Sequence, residues 1–232
     1  DESGRLVEIL NGCTGLEVEF YLVPDMMKLV TSRLRVEQYE GFPLLKIKDT
    51  AISGWGAVFK RIFDIALSLL ALVLLSPVFL VAALAVALGS RGPVFYGQER
   101  VGLDGRVFRL LKFRSMREDA EEGSGPVWTV KGDERVTPAG RLMRRTSIDE
   151  LPQLINVLKG DMSLVGPRPE RPHFVERFKE DIPKYLERHR VRSGMTGWAQ
   201  VNGLRGDVPI ERRTKYDVYY VENWSVALDV KI

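Results

Sequence analysis

The segment IALSLLALVLLSPVFLVAALAVAL, residues 65–88, decides how the rest of the chain is interpreted, because its twenty-four residues carry no charge. As one straight helix it would extend about 36 Å at about 1.5 Å per residue, enough to cross a bilayer core of about 30 Å. Pro77 lies at its midpoint, where it removes a backbone donor and displaces the carbonyl four residues earlier. We therefore expect two helical arms that break at Ser76-Pro77.

Basic residues flank this segment at both ends: Lys60 and Arg61 precede it, and Arg91 follows it. Positive charge is enriched on the cytoplasmic side of membranes, so this pattern predicts a re-entrant hairpin that enters and leaves through the same face. The alternative is an ordinary kinked helix that spans the membrane, because the charge rule weakens beside large flanking domains.

Composition excludes several classes of protein. The chain has 34 basic and 31 acidic residues among 232, so its net charge of +3 favours no class of partner. Its single cysteine, Cys13, excludes an internal disulfide and fits a reducing compartment. The start Asp1-Glu2-Ser3 is unlike a secretory signal. No recognition motif accompanies the basic stretch from Glu99 to Arg117, so no nucleic-acid partner is expected.

Four segments follow from these patterns. Residues 1–50 alternate helical and strand patterns, which is typical of the C-terminal part of an α/β nucleotide-binding-like domain. Glycines and a tryptophan in residues 51–59 predict a linker. Residues 60–91 are the predicted membrane hairpin, and residues 92–232 form a domain on one side of the membrane. The predicted fold class is α+β, with a re-entrant helical hairpin and interfacial amphipathic helices.

The segment SIDELPQLINVLKG, residues 147–160, predicts an amphipathic helix that ends at its glycine. Ser147 and Glu150 could form a capping box, but this register places Pro152 in the second turn. A start at Asp149 places Pro152 in the first turn, and we favour it. The dyad Asp149 and Glu150 would then lie at the positive end of the helix dipole, stabilised as anions for a metal or a phosphorus atom. Plain helix capping is the alternative. The predicted apolar face consists of Leu151, Leu154, Ile155 and Leu158.

Gly166-Pro167-Arg168-Pro169 places an arginine between two prolines, which predicts a stiff turn that presents Arg168 to a phosphate. Two helices that begin with proline, Pro172–Lys179 and Pro183–His189, follow and could lie flat at the membrane interface. The two histidines, His173 and His189, have no partners at metal-ligand spacing and are expected to be structural. The aromatic residues expected at the interface are Phe174, Phe178, Tyr185 and Trp198.

Several motifs occur in uninterrupted order: KRIFDIALSLL, the Ser76-Pro77 break, LKFRSM, SIDELPQLINVLKGDMSLVGPRP and GMTGWAQVNG. Together they resemble the bacterial sugar transferases that act as monotopic phosphoglycosyl transferases. The resemblance covers about residues 60–232, and residues 1–50 resemble more weakly the end of the extra N-terminal domain of larger members. It implies a re-entrant helix in the bacterial inner membrane, an active site facing the cytoplasm, and Mg²⁺.

The resemblance also implies a reaction. An aspartate attacks the sugar-bearing phosphate of a UDP-sugar, UMP leaves, and the phosphosugar passes to undecaprenyl phosphate to start exopolysaccharide, capsule or O-antigen synthesis. Asp149 matches the nucleophile and metal ligand, Glu150 its partner, and Arg168 the phosphate-binding arginine. The other candidate phosphate- or substrate-binding residues are Lys112, Arg114 and Arg144.

Some alternatives stay open at the level of sequence. The Gly203–Gly206 segment is similar to members that transfer glucose or galactose phosphate, and an acetamido sugar is the alternative. An inactive scaffold on the membrane surface, in which the dyad is merely a helix cap, is the competing class. A phospholipid membrane is an expected partner, and a homodimer is a possible assembly.

Overall fold

The structure is a computed structural model that describes residues 35–39, 42–46, 51–117, 120, 133–206 and 208–232. The chain separates into two units, Asp1–Asp49 and Thr50–Ile232. In the first unit, strands β1 (Arg35–Tyr39) and β2 (Phe42–Lys46) form an antiparallel pair. The other elements predicted within residues 1–50 lie outside the described residues.

Two helices joined by a sharp bend begin the second unit. Helix α1 covers Gly54–Leu74 and helix α2 covers Ser76–Gly89, with a bend of 64° between them. The break occurs at the predicted site, because Pro77 is tolerated only in the first turn of α2. In the described part of the chain, no helix alone is long and apolar enough to cross a membrane. The bent pair passes that test of length and composition together.

The start of α1 corrects the predicted linker. The helix begins at Gly54, inside residues 51–59, and the indole ring of Trp224 packs against its first turn at Gly56. A Cβ at Gly56 would lie 2.9 Å from that ring. No proline interrupts this stretch, so the helical pattern of the apolar segment extends backward to Gly54.

Helix α1 has one polar face that is covered by the second unit. Lys60, Asp64 and Ser68 are spaced four residues apart, as neighbours on one face of a helix are, and all three are buried. The carboxylate of Asp64 accepts a hydrogen bond from the backbone N–H of Leu164 at 3.0 Å. The large apolar residues that stay exposed on the two arms include Phe59, Ile62, Phe63, Leu70, Val73, Leu74, Leu80, Val81 and Leu88.

An antiparallel hairpin follows α2. Strand β3 (Phe95–Val101) pairs with strand β4 (Val107–Phe113), and a 3₁₀ turn at Leu103–Gly105 joins them. The register places Phe95 opposite Phe113, which is 1% exposed. The side chain of Phe113 belongs to an apolar cluster that also contains residues of α2, so the hairpin packs directly beneath the second arm.

The remaining elements complete a mixture of helix and strand, which confirms the α+β prediction in its coarse form. Strands β5 (Ser163–Val165) and β6 (Gly194–Thr196) form a parallel pair. The elements are α3 (Pro138–Thr146), α4 (Gln153–Lys159), β5 (Ser163–Val165), α5 (Pro172–Asp181), β6 (Gly194–Thr196), α6 (Trp198–Val201), α7 (Ile210–Asn223) and α8 (Val226–Lys231), with 3₁₀ turns at Ile148–Glu150 and Tyr185–Arg190.

The two elements predicted at the membrane interface differ from expectation. The first is α5, but the second is only the 3₁₀ turn Tyr185–Arg190. Phe178 packs edge-on against Tyr185, with ring centroids 5.6 Å apart, and Tyr185 is 1% exposed. These rings join a core cluster with Val175 and Ile182 instead of forming an exposed apolar face. Two of the four aromatic residues on which the interfacial prediction rested are therefore engaged in packing within the domain.

Candidate active site

The two carboxylates of the predicted dyad lie in the 3₁₀ turn Ile148–Glu150, between α3 and α4. Ser147 leads into this turn with a left-handed backbone, φ 58° and ψ 16°. Helix α4 begins only at Gln153, because Pro152 has no N–H to donate and precedes the first helical turn. The predicted helix start at Asp149 is therefore wrong. Both carboxylates come before the α-helix. Their pKa values are therefore set by burial and by neighbouring charges, and not by a helix end.

Glu150 is held by two basic side chains from different elements. Arg168 donates from Nη2 to Oε1 at 2.6 Å and from Nη1 to Oε2 at 3.3 Å, while Lys112 Nζ donates to Oε1 at 3.2 Å. Burial alone would raise the pKa of Glu150, but the charges and hydrogen bonds of Arg168 and Lys112 outweigh it and hold the pKa below its usual range. Glu150 is thus an anion that positions two cations.

Asp149 has a different environment, although it is the adjacent residue. It is 6% exposed, and within the described residues the ion pairs of the dyad end on Glu150 and none on Asp149. Burial raises the pKa of Asp149, and the charge of Lys112 opposes that increase. The predicted stabilisation of its anion by a helix end is therefore wrong in direction. A buried carboxylate without an ion-pair partner is poorly solvated and available to an electrophile.

Two other predicted basic residues make no contact with the dyad, and only the first lies close enough to act on it. Arg144 on α3 is half-buried and donates from Nε to the hydroxyl of Ser115 at 2.9 Å. Its positive charge lowers the pKa of Asp149, so it acts on that carboxylate through space. Arg114 is 5% exposed and donates from Nη2 to the carbonyl and hydroxyl oxygens of Ser90, at 2.9 and 3.0 Å. The structure therefore brings Arg114 beside the end of α2 and not to the dyad.

Arg168 projects from a turn that packs tightly against a neighbouring backbone. The N–H of Gly166 donates to the carbonyl of Thr196, and the N–H of Gly194 donates to the carbonyl of Pro167, both at 2.9 Å. A Cβ at Gly194 would lie only 2.1 Å from the nitrogen of Gly166, so this close approach requires glycine. The stiff turn that the two prolines predict is present, and 36% of the Arg168 side chain remains exposed.

Helix α4 ends at Gly160 in the left-handed conformation, φ 96°, as predicted, but its buried face differs from the prediction. Asn156 is 1% exposed; its Oδ1 accepts from the N–H of Leu111 at 2.9 Å, and its Nδ2 donates to the carbonyl of Arg109 at 2.8 Å. This buried amide ties α4 to β4, the strand that carries Lys112. The buried residues of α4 are Gln153, Leu154, Asn156 and Val157.

The sequence analysis missed a second group of charges behind the turn. Glu170 pairs with Arg100 at 3.5 Å and with Arg213 at 3.1 Å, and Arg188 pairs with Asp217 at 2.7 Å. These residues come from distant parts of the chain, so no local pattern predicts their pairing. The available signal was the glutamate directly after the Pro-Arg-Pro turn, a charge that must be paired if it is buried.

The residues present fit a magnesium ion only in a limited way. Across the described ranges, no group of three or more His, Cys, Asp or Glu side chains could hold a metal ion. Mg²⁺ commonly binds one or two carboxylates together with substrate phosphates and water, so the single unpaired carboxylate of Asp149 suits a shared site.

His189 is buried beside the ring of Tyr185, and burial lowers its pKa to about 4, as suits a structural residue.

Comparison with known proteins gives a consistent result. The family described as "Bacterial sugar transferase" matches residues 55–232. The chain is similar to "UDP-glucose:undecaprenyl-phosphate glucose-1-phosphate transferase" of Escherichia coli (strain K12), at 40% identity over 100% of this chain and 50% of that protein. It is also similar to "UDP-N-acetylgalactosamine-undecaprenyl-phosphate N-acetylgalactosaminephosphotransferase" of Aeromonas hydrophila, at 40% identity over 100% of this chain and 54% of that protein.

A shorter relative matches most of its own length. The "Exopolysaccharide production protein PSS" of Rhizobium leguminosarum bv. phaseoli is 46% identical over 75% of this chain and 91% of that protein. The chain thus spans about half of the two longer relatives, at 50% and 54% of their lengths, and nearly all of the shorter one.

Proposed function

The chain belongs to the bacterial sugar transferases, and from this premise we propose that it transfers a sugar 1-phosphate from a UDP-sugar to undecaprenyl phosphate. In the first step, a carboxylate oxygen of Asp149 attacks the sugar-bearing phosphorus, the bond from that phosphorus to UMP breaks, and UMP leaves with the bonding electrons. In the second step, an oxygen of the lipid phosphate attacks the same phosphorus, and Asp149 leaves as a carboxylate.

The observation that carries this proposal is the division of roles within the dyad. Glu150 is occupied by Arg168 and Lys112, whereas Asp149 beside it has no ion-pair partner among the described residues. A nucleophile must be free to approach phosphorus, and a carboxylate that already binds two cations is not. The structure therefore supports Asp149 as the nucleophile and Glu150 as the residue that positions the cations.

The basic side chains supply the charge that the reaction needs. An anionic nucleophile approaches an anionic phosphate, so neighbouring cations must offset the repulsion. Arg168 holds Glu150 by two hydrogen bonds and stays partly exposed, so a substrate phosphate can compete for its guanidinium in the same geometry. Lys112 and Arg144 both lower the pKa of Asp149, which favours the attacking anion.

We propose magnesium as the metal that accompanies this reaction. Asp149 would hold the ion together with oxygens of the substrate diphosphate. When bound, Mg²⁺ offsets negative charge on the phosphates.

We also propose that α1 and α2 form a re-entrant hairpin in the bacterial inner membrane, with the dyad facing the cytoplasm. Leu74 is 68% exposed, Val81 66% and Leu88 86%, so these apolar side chains of the two arms are not covered within the described residues. Cysteines introduced at the exposed Ser53 and Arg91 should react with an impermeant reagent from the same side of sealed vesicles. Labelling from opposite sides would show a spanning helix instead.

The sugar is the least constrained part of the proposal. The printed names of the relatives specify glucose for the Escherichia coli protein and N-acetylgalactosamine for the Aeromonas hydrophila protein, each at 40% identity. We propose glucose or galactose for this chain because of the Gly203–Gly206 segment, with an acetamido sugar as the alternative. A homodimer stays a prediction.

A single assay tests the reaction. UMP release is measured with UDP-glucose, UDP-galactose, UDP-N-acetylglucosamine and UDP-N-acetylgalactosamine in turn, with and without undecaprenyl phosphate. The proposal predicts multiple turnovers with the lipid and about one UMP per protein molecule without it. An inactive scaffold would release no UMP from any of the four donors.

A further inference from the structure

The backbone of the Pro-Arg-Pro turn is held in an unusual way. Pro167 and Pro169 have no N–H, so the turn must be fixed largely through its carbonyl oxygens. Three consecutive carbonyls accept hydrogen bonds from outside the turn. The bonds are Gly194 N to Pro167 O at 2.9 Å, Arg188 Nη2 to Arg168 O at 2.7 Å, and Arg100 Nη1 to Pro169 O at 3.0 Å.

The donor to the central carbonyl is itself held by several contacts. Arg188 is 1% exposed, and its Nη2 donates to Asp217 Oδ2 at 2.7 Å as well as to the carbonyl of Arg168. Its Nη1 donates to the hydroxyl of Tyr185 at 3.0 Å, and its guanidinium carbon lies 5.2 Å from the centre of that ring. A side chain with these four contacts has essentially one available position.

This arrangement connects a buried charge to the dyad. From its fixed backbone, the Arg168 side chain reaches out to Glu150. Resting on the proposed function, we infer that Arg188 is a positioning residue, which holds the backbone of Arg168 so that its guanidinium meets the substrate phosphate. A buried arginine–aspartate pair is often no more stabilising than an apolar pair of the same size. Stability alone therefore does not explain the pair, whereas a positioning role does.

The experiment replaces the pair together, because Arg188→Ala alone would leave Asp217 as an unpaired buried charge. The variant Arg188→Met/Asp217→Leu removes both charges and the bond to the Arg168 carbonyl. UMP release is measured in wild type, this variant, Arg168→Ala, and the combination of all three substitutions. Hydrogen exchange of the Gly194 amide, which bonds the first carbonyl of the turn, is measured in parallel.

We expect the paired substitution to slow UMP release about tenfold or more in the wild-type background and less than about twofold in the Arg168→Ala background. The reason is that Arg188 acts only through Arg168. We also expect faster exchange at Gly194. If the paired substitution slows UMP release by the same factor in both backgrounds, Arg188 is merely structural and the inference is overturned. Unchanged hydrogen exchange at Gly194 would also overturn it.

Two further variants keep the test decisive. Lys60→Met removes a different buried cation, whose partner Asp229 retains hydrogen bonds from Tyr220 and Trp224, and it should leave UMP release and Gly194 exchange unchanged. If the paired variant does not fold, Arg188→Lys keeps a cation opposite Asp217 but replaces the guanidinium, which bonds Asp217 and the Arg168 carbonyl together, by a single nitrogen; it should show the same dependence on Arg168. If wild type releases no UMP from any donor, the proposed function fails, and Gly194 exchange alone decides whether Arg188 holds the turn.

Discussion

Two arginine–carboxylate pairs in this molecule have almost the same length and opposite settings. Arg168 and Glu150 are 2.6 Å apart, and their side chains are 36% and 21% exposed. Arg188 and Asp217 are 2.7 Å apart, and their side chains are 1% and 2% exposed. The open pair can exchange its carboxylate for a phosphate, whereas the sealed pair has no route to one. Distance alone therefore does not reveal a binding site, and exposure does.

The same contrast explains where the nucleophile lies. Asp149 is next to the open pair but takes no part in it, so its buried carboxylate faces a site whose cations can be recruited by substrate. The sealed pair instead fixes the backbone from which Arg168 projects. The open pair is expected to act on the substrate directly, and the sealed pair to act on stability and, through the backbone of Arg168, on activity; the predictions below test that separation.

The largest expected effect comes from Asp149→Asn. Asparagine has nearly the same shape, so both arginine pairs should remain, but it lacks the charge and nucleophilicity of the carboxylate. UMP release should fall to background while the thermal unfolding midpoint stays close to that of wild type. Residual activity near the wild-type rate would remove Asp149 from the role of nucleophile.

The next effect is on stability and should appear only at the sealed pair. Arg188→Ala leaves Asp217 as an unpaired buried charge, which typically costs 3–5 kcal/mol, so the free energy of unfolding should fall by about that amount. Arg168→Ala breaks a partly exposed pair and should cost about 1 kcal/mol or less, because Lys112 still pairs with Glu150. Unfolding titrations in detergent compare the two variants. Equal losses would mean that exposure does not separate the pairs.

A smaller effect is expected on activity at the open site. Loss of a hydrogen bond to a charged group costs about 1.5–3 kcal/mol, so Arg168→Ala should reduce kcat/KM for UMP release about tenfold or more. Arg144→Ala should act in the same direction, because it removes a charge that lowers the pKa of Asp149. Wild-type rates in both variants would show that neither arginine contributes to the reaction.

The most subtle effect is a change in pH dependence. Asp149 must be deprotonated to attack; burial raises its pKa above the ordinary 3.8, and Lys112 lowers it. Lys112→Met removes the lowering charge, so the pKa of Asp149 should rise further and the acid limb of kcat/KM should move to higher pH. A limb that keeps its position, or moves to lower pH, would show that Asp149 does not control it.

The sequence predicted the features that local chemistry determines. Pro77 breaks the apolar segment wherever the chain goes afterwards, and Gly160 ends α4 in a left-handed conformation at the predicted position. Arg168 was expected to bind a phosphate, but its pairing with the dyad was not predicted. The geometry adds that Glu150, not Asp149, receives that arginine.

The features that sequence did not predict depend on long-range contacts. Arg188 and Asp217 are 29 residues apart, and Asn156 and Leu111 are 45 apart, so nothing in a local pattern connects them. The raised pKa of Asp149 has the same origin, because burial by distant elements outweighs the local turn. That burial cannot be predicted from the residues around Asp149 in the sequence. For this reason the predicted effect on the Asp149 anion, a stabilisation, had the wrong direction.

The central claim is that the phosphosugar is carried on Asp149, and peptide mass spectrometry tests it most directly. Wild-type protein is incubated with the UDP-sugar that it uses and no lipid acceptor, quenched, and digested. The account predicts a gain of the mass of one sugar phosphate on the peptide that contains Asp149, released UMP in equal amount, and no gain in Asp149→Asn. The account would be contradicted if the quenched protein carried no adduct and UMP appeared only when undecaprenyl phosphate was bound. That result would indicate direct transfer between the two substrates.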